Sequence, residues 1–186
     1  MGIFRAVYNR FFDKRSPEER DIAELTQRGM TVGSDCAIYS SGGFDHIYPH
    51  LISIGDRVTI STNVTILAHD ASTNVVGCAT KLGRVTIGSN VFIGTGTIIL
   101  CNTRIGDNVV IGAGSLVTRD LPDNGVYAGV PARRVCSIEE YREKNQQLRN
   151  IRPDFSKIRP WYEWKNATKE ELQQMRDGLE DGVGFI

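Results

Sequence analysis

The sequence predicts an all-β fold, a parallel β-helix of six-residue repeats, with helices at both ends. From Ile87 to Val117 an aliphatic residue returns at every sixth position: Ile87, Ile93, Ile99, Ile105, Ile111 and Val117. Helix faces repeat at about 3.6 residues and strands at 2, so a strict six calls for short strands joined by tight corners and stacked in coils. The corners are the second observation. Gly88, Gly94, Gly106 and Gly112 follow aliphatic residues, and Asn90, Gly96, Asn102, Asn108 and Gly114 fall at the next bend positions. Gly and Asn accept the positive φ of a sharp bend, while Val91, Thr97, Thr103 and Val109 between them suit a pleated face.

The register continues upstream through Ile54, Ile60 and Ile66, and begins with Val32 and Ile38. If three hexads make one triangular coil of 18 residues, Ile87 to Arg104 and Ile105 to Pro122 are two uninterrupted coils. The step from Ile54 to Ile87 holds one coil and 15 further residues, and that from Val32 to Ile54 one coil and 4 further residues. Insertions cannot enter a stacked core, so they must loop outward, where binding commonly occurs.

Helical signals flank this region. Ser16-Pro17-Glu18-Glu19 combines a cap, a first-turn proline and a capping-box glutamate, predicting a helix that ends by Gly29. Ser137 with Glu140, and Thr168 with Glu171, predict two more. The expected organisation is an N-terminal helical segment (1–29), a β-helix (30–136) and a C-terminal helical extension (137–186). Arg152 to Lys165, with Pro160, Trp161, Tyr162 and Trp164, reads as an extended aromatic strap over an open sheet end or a neighbouring subunit. Residues 3–15 place Ile3, Phe4, Val7, Tyr8, Phe11 and Phe12 on one helical face, with Arg5, Arg10, Lys14 and Arg15 elsewhere. Two readings stand for them: packing against the β-helix or another protomer, and peripheral contact with a membrane surface.

With 22 basic and 22 acidic residues, no global charge argues for nucleic acid. Cys36, Cys78, Cys101 and Cys136 show no CxxC or metal spacing and read as reduced thiols. The N-terminus has no apolar signal region and no stretch reaches membrane-spanning length, so a cytoplasmic location is expected.

Over roughly residues 30–136 the chain resembles the left-handed β-helix acyltransferases with hexapeptide repeats, and within them the galactoside, maltose and polysaccharide O-acetyltransferases. The resemblance rests on the hexads, on His69 at the lip of the larger insertion, and on the ending Val117-Thr118-Arg119-Asp120-Leu121-Pro122 with Gly129-Val130-Pro131-Ala132-Arg133. It implies left-handed coils, which periodicity alone could not give, since parallel crossovers elsewhere are right-handed. It also implies a homotrimer with active sites at subunit boundaries, acetyl-coenzyme A as co-substrate, no metal, and a hydroxyl of a sugar or polysaccharide precursor as acceptor.

His69 matches the family's catalytic histidine. Acetyl transfer needs a base for the acceptor's hydroxyl proton, and imidazole, with an ordinary pKa of about 6.5, suits that task. The family uses an asparagine one coil upstream to help hold the acceptor; the matching stretch here has none, leaving Asp45 or His46 as substitutes. Asp70 adjoins His69 but points the other way in an extended chain, toward the acceptor, a loop or a neighbouring protomer's site. The resemblance assigns coenzyme A to Thr95, Ala113, Thr118, Arg119 and Arg133, with the two arginines on its phosphates.

Two other classes share this fold. The γ-class carbonic anhydrases need three zinc ligands, and the order of His46, His50 and His69 does not follow their pattern. A non-catalytic structural subunit would not need the acyltransferase ending. Among acyltransferases, a sugar N-acyltransferase acting on an amino sugar is the alternative to O-acetylation.

Overall fold

A computed structural model describes residues 15–39 and 42–186. Residues 3–14 of the amphipathic N-terminal segment lie outside the described residues. A division between Ile138 and Glu139 separates two compact units.

The first unit opens with helix α1 (Pro17–Gln27), capped by the predicted box: Ser16 Oγ accepts from the Glu19 N–H, and Glu19 accepts from the Ser16 N–H. Arg28 and Gly29, the latter at φ +103°, end it. Its apolar face is anchored by Leu25, which is fully buried in the core of the coils.

The coils then follow. The first contributes β1 (Thr31–Val32) and β2 (Ala37–Ile38). The second holds β3 (Ile52–Ile54), β4 (Thr59–Ile60) and β5 (Thr65–Ile66), and then a hairpin of β6 (His69–Asp70) and β7 (Lys81–Leu82) projects from it. The third comprises β8 (Val85–Ile87), β9 (Phe92–Ile93) and β10 (Ile98–Ile99). The fourth comprises β11 (Thr103–Ile105), β12 (Val109–Ile111) and β13 (Leu116–Val117). The stack closes with β14 (Gly125–Ala128) and the antiparallel β15 (Arg133–Ser137).

The chain visits three parallel sheets in rotation. One is β1-β3-β8-β11, the second runs β2-β4-β9-β12-β14, and the third is β5-β10-β13. Phe44 extends the third by a parallel bridge to Ile66. The pairing sets Ile54, Ile87 and Ile105 in register, likewise Ile60, Ile93 and Ile111, and Ile66, Ile99 and Val117. These nine side chains form the buried axis of the stack, and full burial of each contributes about 1.5–3 kcal/mol.

The corners obey the same period. Asp35, Arg57, Asn63, Asn90, Gly96, Asn102, Asn108, Gly114 and Asn124 all have positive φ. Asn here does more than tolerate the bend. The Asn90 amide donates to the Asn108 side chain (3.1 Å) and the Asn108 amide to that of Asn124 (2.9 Å), while Arg57 Nε donates to Asn90 Oδ1 (2.6 Å). A parallel column of carboxylates takes backbone N–H groups: Asp56 from Ser34, Asp107 from Ser89 and Asp123 from Asp107.

In the second unit, α2 spans Ile138–Ile151 and α3 spans Lys169–Gly178, the latter with the predicted Thr168–Glu171 box. The expectation of an extended strap is corrected. Phe155–Lys157 and Trp161–Asn166 form 3₁₀ turns, because Asp154 caps the first and Trp164 Nε1 donates back to the Arg159 carbonyl (3.1 Å). Phe155 is this unit's buried centre, with Trp164 packed edge-on against it.

Asn108→Gly and Asn108→Ala both remove the two ladder hydrogen bonds made with Asn90 and Asn124, but glycine keeps an easy left-handed bend and alanine strains it. Chemical denaturation should show the alanine variant less stable than the glycine variant by about 1 kcal/mol. Equal stability would contradict the assigned role of the corner.

Candidate active site

Two departures from the 18-residue coil meet at one imidazole. His69 begins β6, where the chain leaves the third sheet for the outward hairpin, and it pairs with Leu82 across that hairpin. The other departure is the corner after Phe44. There the chain takes ten residues to reach Ile54 where a hexad takes six, and the slack forms a tight turn at Asp45–Tyr48.

The Asp45 side chain is wholly shielded from solvent, and its carboxylate takes four donors. Oδ1 accepts the N–H groups of Ile47 and Tyr48, each at 3.0 Å. Oδ2 accepts the Ala68 N–H at 2.9 Å and contacts His69 Nδ1. Burial alone would raise the Asp45 pKa, but the His69 contact and the N–H groups of Tyr48, Ala68 and Ile47 together hold it below the ordinary carboxylate value. Asp45 is therefore ionised at neutral pH and can only accept. Nδ1 of His69 must then carry the proton, which leaves Nε2 as the basic nitrogen.

Because the folded pKa of Asp45 is depressed, its stabilisation is fully present above the unfolded carboxyl pKa. It is lost only as pH falls through the folded value.

His69 also borders a cavity of about 510 Å³ with Leu67, Asp70, Ala71, Lys81, Leu100, Cys101 and Thr118. Leu67, Leu100 and Thr118 each follow a core residue of the third sheet, so stacking sets them one above another as a wall. Asp70 faces Lys81 Nζ at 2.6 Å and accepts the Ser72 N–H at 2.9 Å. The Lys81 hydrogen bond, followed by those from Ser72, drives its pKa well below the ordinary range. Asp70 thus closes the neck of the 71–80 loop as well as bordering the cavity.

The structure divides the remaining expected site residues. Asp45 has both oxygens occupied and bears on the imidazole rather than on an acceptor. His46 stands apart from this group: its Nε2 is 3.8 Å from Asp21, and its carbonyl accepts from Arg28. Thr95 and Ala113 are exposed corner residues one coil apart, and the Thr95 carbonyl accepts the Gly114 N–H at 2.8 Å. Close approach requires glycine just before Thr95: a Cβ at Gly94 would lie 2.5 Å from Ala113 N. Thr118 links that edge to the cavity, while Arg119 and Arg133 are exposed. Tyr48 and Lys81, which loop register places, and Cys101, one residue beyond Leu100, are site neighbours that sequence reading missed.

The bacterial transferase hexapeptide family (six repeats) matches residues 84–119. The chain is 41% identical over 139 residues to protein CapG of Staphylococcus aureus, covering 70% of this chain and 77% of that one. It is 36% identical over 124 residues to the galactoside O-acetyltransferase of Escherichia coli, covering 63% and 59%. The solved maltose O-acetyltransferase of Clostridium difficile superposes with a TM-score of 0.51 at 31% identity, covering 72% and 84%. The chain belongs to the bacterial hexapeptide-repeat transferase family.

Asp45→Asn should change the His69 tautomer. An asparagine amide can donate to Nδ1, pushing the proton to Nε2, which ¹⁵N-resolved NMR of the imidazole reports directly. An unchanged Nδ1–H tautomer in that variant would show that Asp45 does not set it.

Proposed function

We propose that this protein transfers an acetyl group from acetyl-coenzyme A to a hydroxyl of a sugar or polysaccharide precursor, with His69 as general base. The observation that carries this is the imidazole held through Nδ1 by the buried Asp45 carboxylate, at the wall of a cavity large enough for a sugar ring. The named activities of the galactoside and maltose relatives support a saccharide hydroxyl as acceptor. Asp70 and Lys81 supply polar partners for such an acceptor among the apolar Leu67, Ala71 and Leu100.

In the reaction His69 Nε2 takes the hydroxyl proton as the acceptor oxygen bonds to the thioester carbonyl carbon. The carbon–sulfur bond then breaks, and His69 returns the proton to the departing thiolate. Asp45 stays ionised throughout and stabilises the transient imidazolium. Thr95, Ala113 and Thr118 offer small side chains and backbone groups to an extended pantetheine arm, and Arg119 and Arg133 offer paired donors to phosphates. In this reading the coils wind left-handed, three copies assemble, and each site is completed at a subunit boundary. Four free thiols suit a cytoplasmic setting.

Thiol release from acetyl-coenzyme A with a panel of glycosides tests the activity. His69→Ala should lower kcat at least 10²- to 10⁴-fold while acetyl-coenzyme A binding persists. Arg133→Ala should raise KM for acetyl-coenzyme A with a smaller effect on kcat. Equal loss of affinity in both would refute this division of roles. Light scattering at micromolar concentration should give a trimer; a monomer would exclude a site shared between subunits.

A further inference from the structure

The turn that carries Asp45 ends in an aromatic ring against the same imidazole. The Tyr48 and His69 ring centroids lie 5.4 Å apart with planes at 64°, an edge-on contact within the favoured range. Tyr48 is itself fixed at three points. Its N–H is bonded to Asp45 Oδ1, its half-buried ring packs on the core, and the buried Pro49 that follows restricts its backbone. Its ring also meets that of His50, with centroids 6.3 Å apart and planes at 70°.

The four residues added to this corner are not needed to close the coil, because the later coils close on strict hexads. What they add is a carboxylate at Nδ1 and a ring beside the imidazole. A hydrogen bond at Nδ1 alone fixes one point of the His69 ring and leaves it free to tilt about that bond. A second contact from the side removes that freedom.

Resting on the assignment of His69 as base, we infer that Tyr48 is a positioning residue: its ring holds the imidazole plane so that Nε2 addresses the acceptor in the cavity. Asp45 and Tyr48 act together as one clamp, built by the four-residue insertion.

The test compares Tyr48→Leu with Tyr48→Phe, and uses Tyr48→Met should the leucine variant fail to fold. The Leu variant should lose about 10- to 100-fold in kcat, both for transfer to glycosides and for slow acetyl-coenzyme A hydrolysis, with KM for acetyl-coenzyme A within about twofold of wild type. Phe should restore the rate. ¹⁵N-resolved NMR of His69 should show the Nδ1–H tautomer in all three proteins, with sharp imidazole signals in the wild type and Tyr48→Phe and exchange-broadened, shifted ones in Tyr48→Leu. Unchanged kcat and an unchanged imidazole spectrum in Tyr48→Leu would overturn the proposal. Wild-type activity in His69→Ala would instead remove the base assignment, and the imidazole spectrum alone would then decide whether Tyr48 orders the ring.

Discussion

The chain must turn a corner every six residues without losing register, and everything else in the β-helix rests on how it does so. At two of the corners the left-handed residues stack from coil to coil, Asp35, Arg57, Asn90, Asn108 and Asn124 in one column and Asn63, Gly96 and Gly114 in the other. Backbone hydrogen bonds between coils, such as Gly88 N–H to the Ile105 carbonyl and Gly94 N–H to that of Ile111, both 2.8 Å, then fall in step. Isoleucines land on isoleucines as a result. A rigid stack of this kind can carry outward loops at little cost to its core, since neither the 15-residue nor the 4-residue insertion disturbs the pairing of the strands around it.

The two insertions converge because the corner after Phe44 lies on the coil directly before the departure point of His69. A buried carboxylate there is expensive unless its lone pairs are filled. Three backbone N–H groups and one imidazole fill those of Asp45. The same saturation that makes burial tolerable fixes the tautomer of His69, so a stability requirement and a chemical one are met by one set of contacts.

Much of this was legible in residue order. The hexads located the coils, the Gly and Asn positions located the bends, and Ser16-Pro17-Glu18-Glu19 and Thr168 with Glu171 located two caps. Arg57 escaped, because nothing in its type announces a left-handed bend; its place in the ladder above Asn90 explains it. Counting residues between Val32 and Ile54 revealed that four were surplus, but not that they would fold Asp45 beneath His69 and lay Tyr48 on it, or leave His46 beside Asp21. The pairing of Asp70 with Lys81 depended on hairpin register across a ten-residue loop, which no local pattern encodes. The segment around Trp161 misled because aromatic and proline content suits a strap as well as it suits 3₁₀ turns capped by Asp154 and Pro160.

The central claim is that Asp45 works through His69, and a double-mutant cycle on kcat for acetyl transfer addresses it most directly. If the claim holds, Asp45→Asn slows the native enzyme substantially yet adds no further loss to His69→Ala, with acetyl-coenzyme A affinity preserved in all three variants. Independent, additive losses from the two substitutions would contradict it.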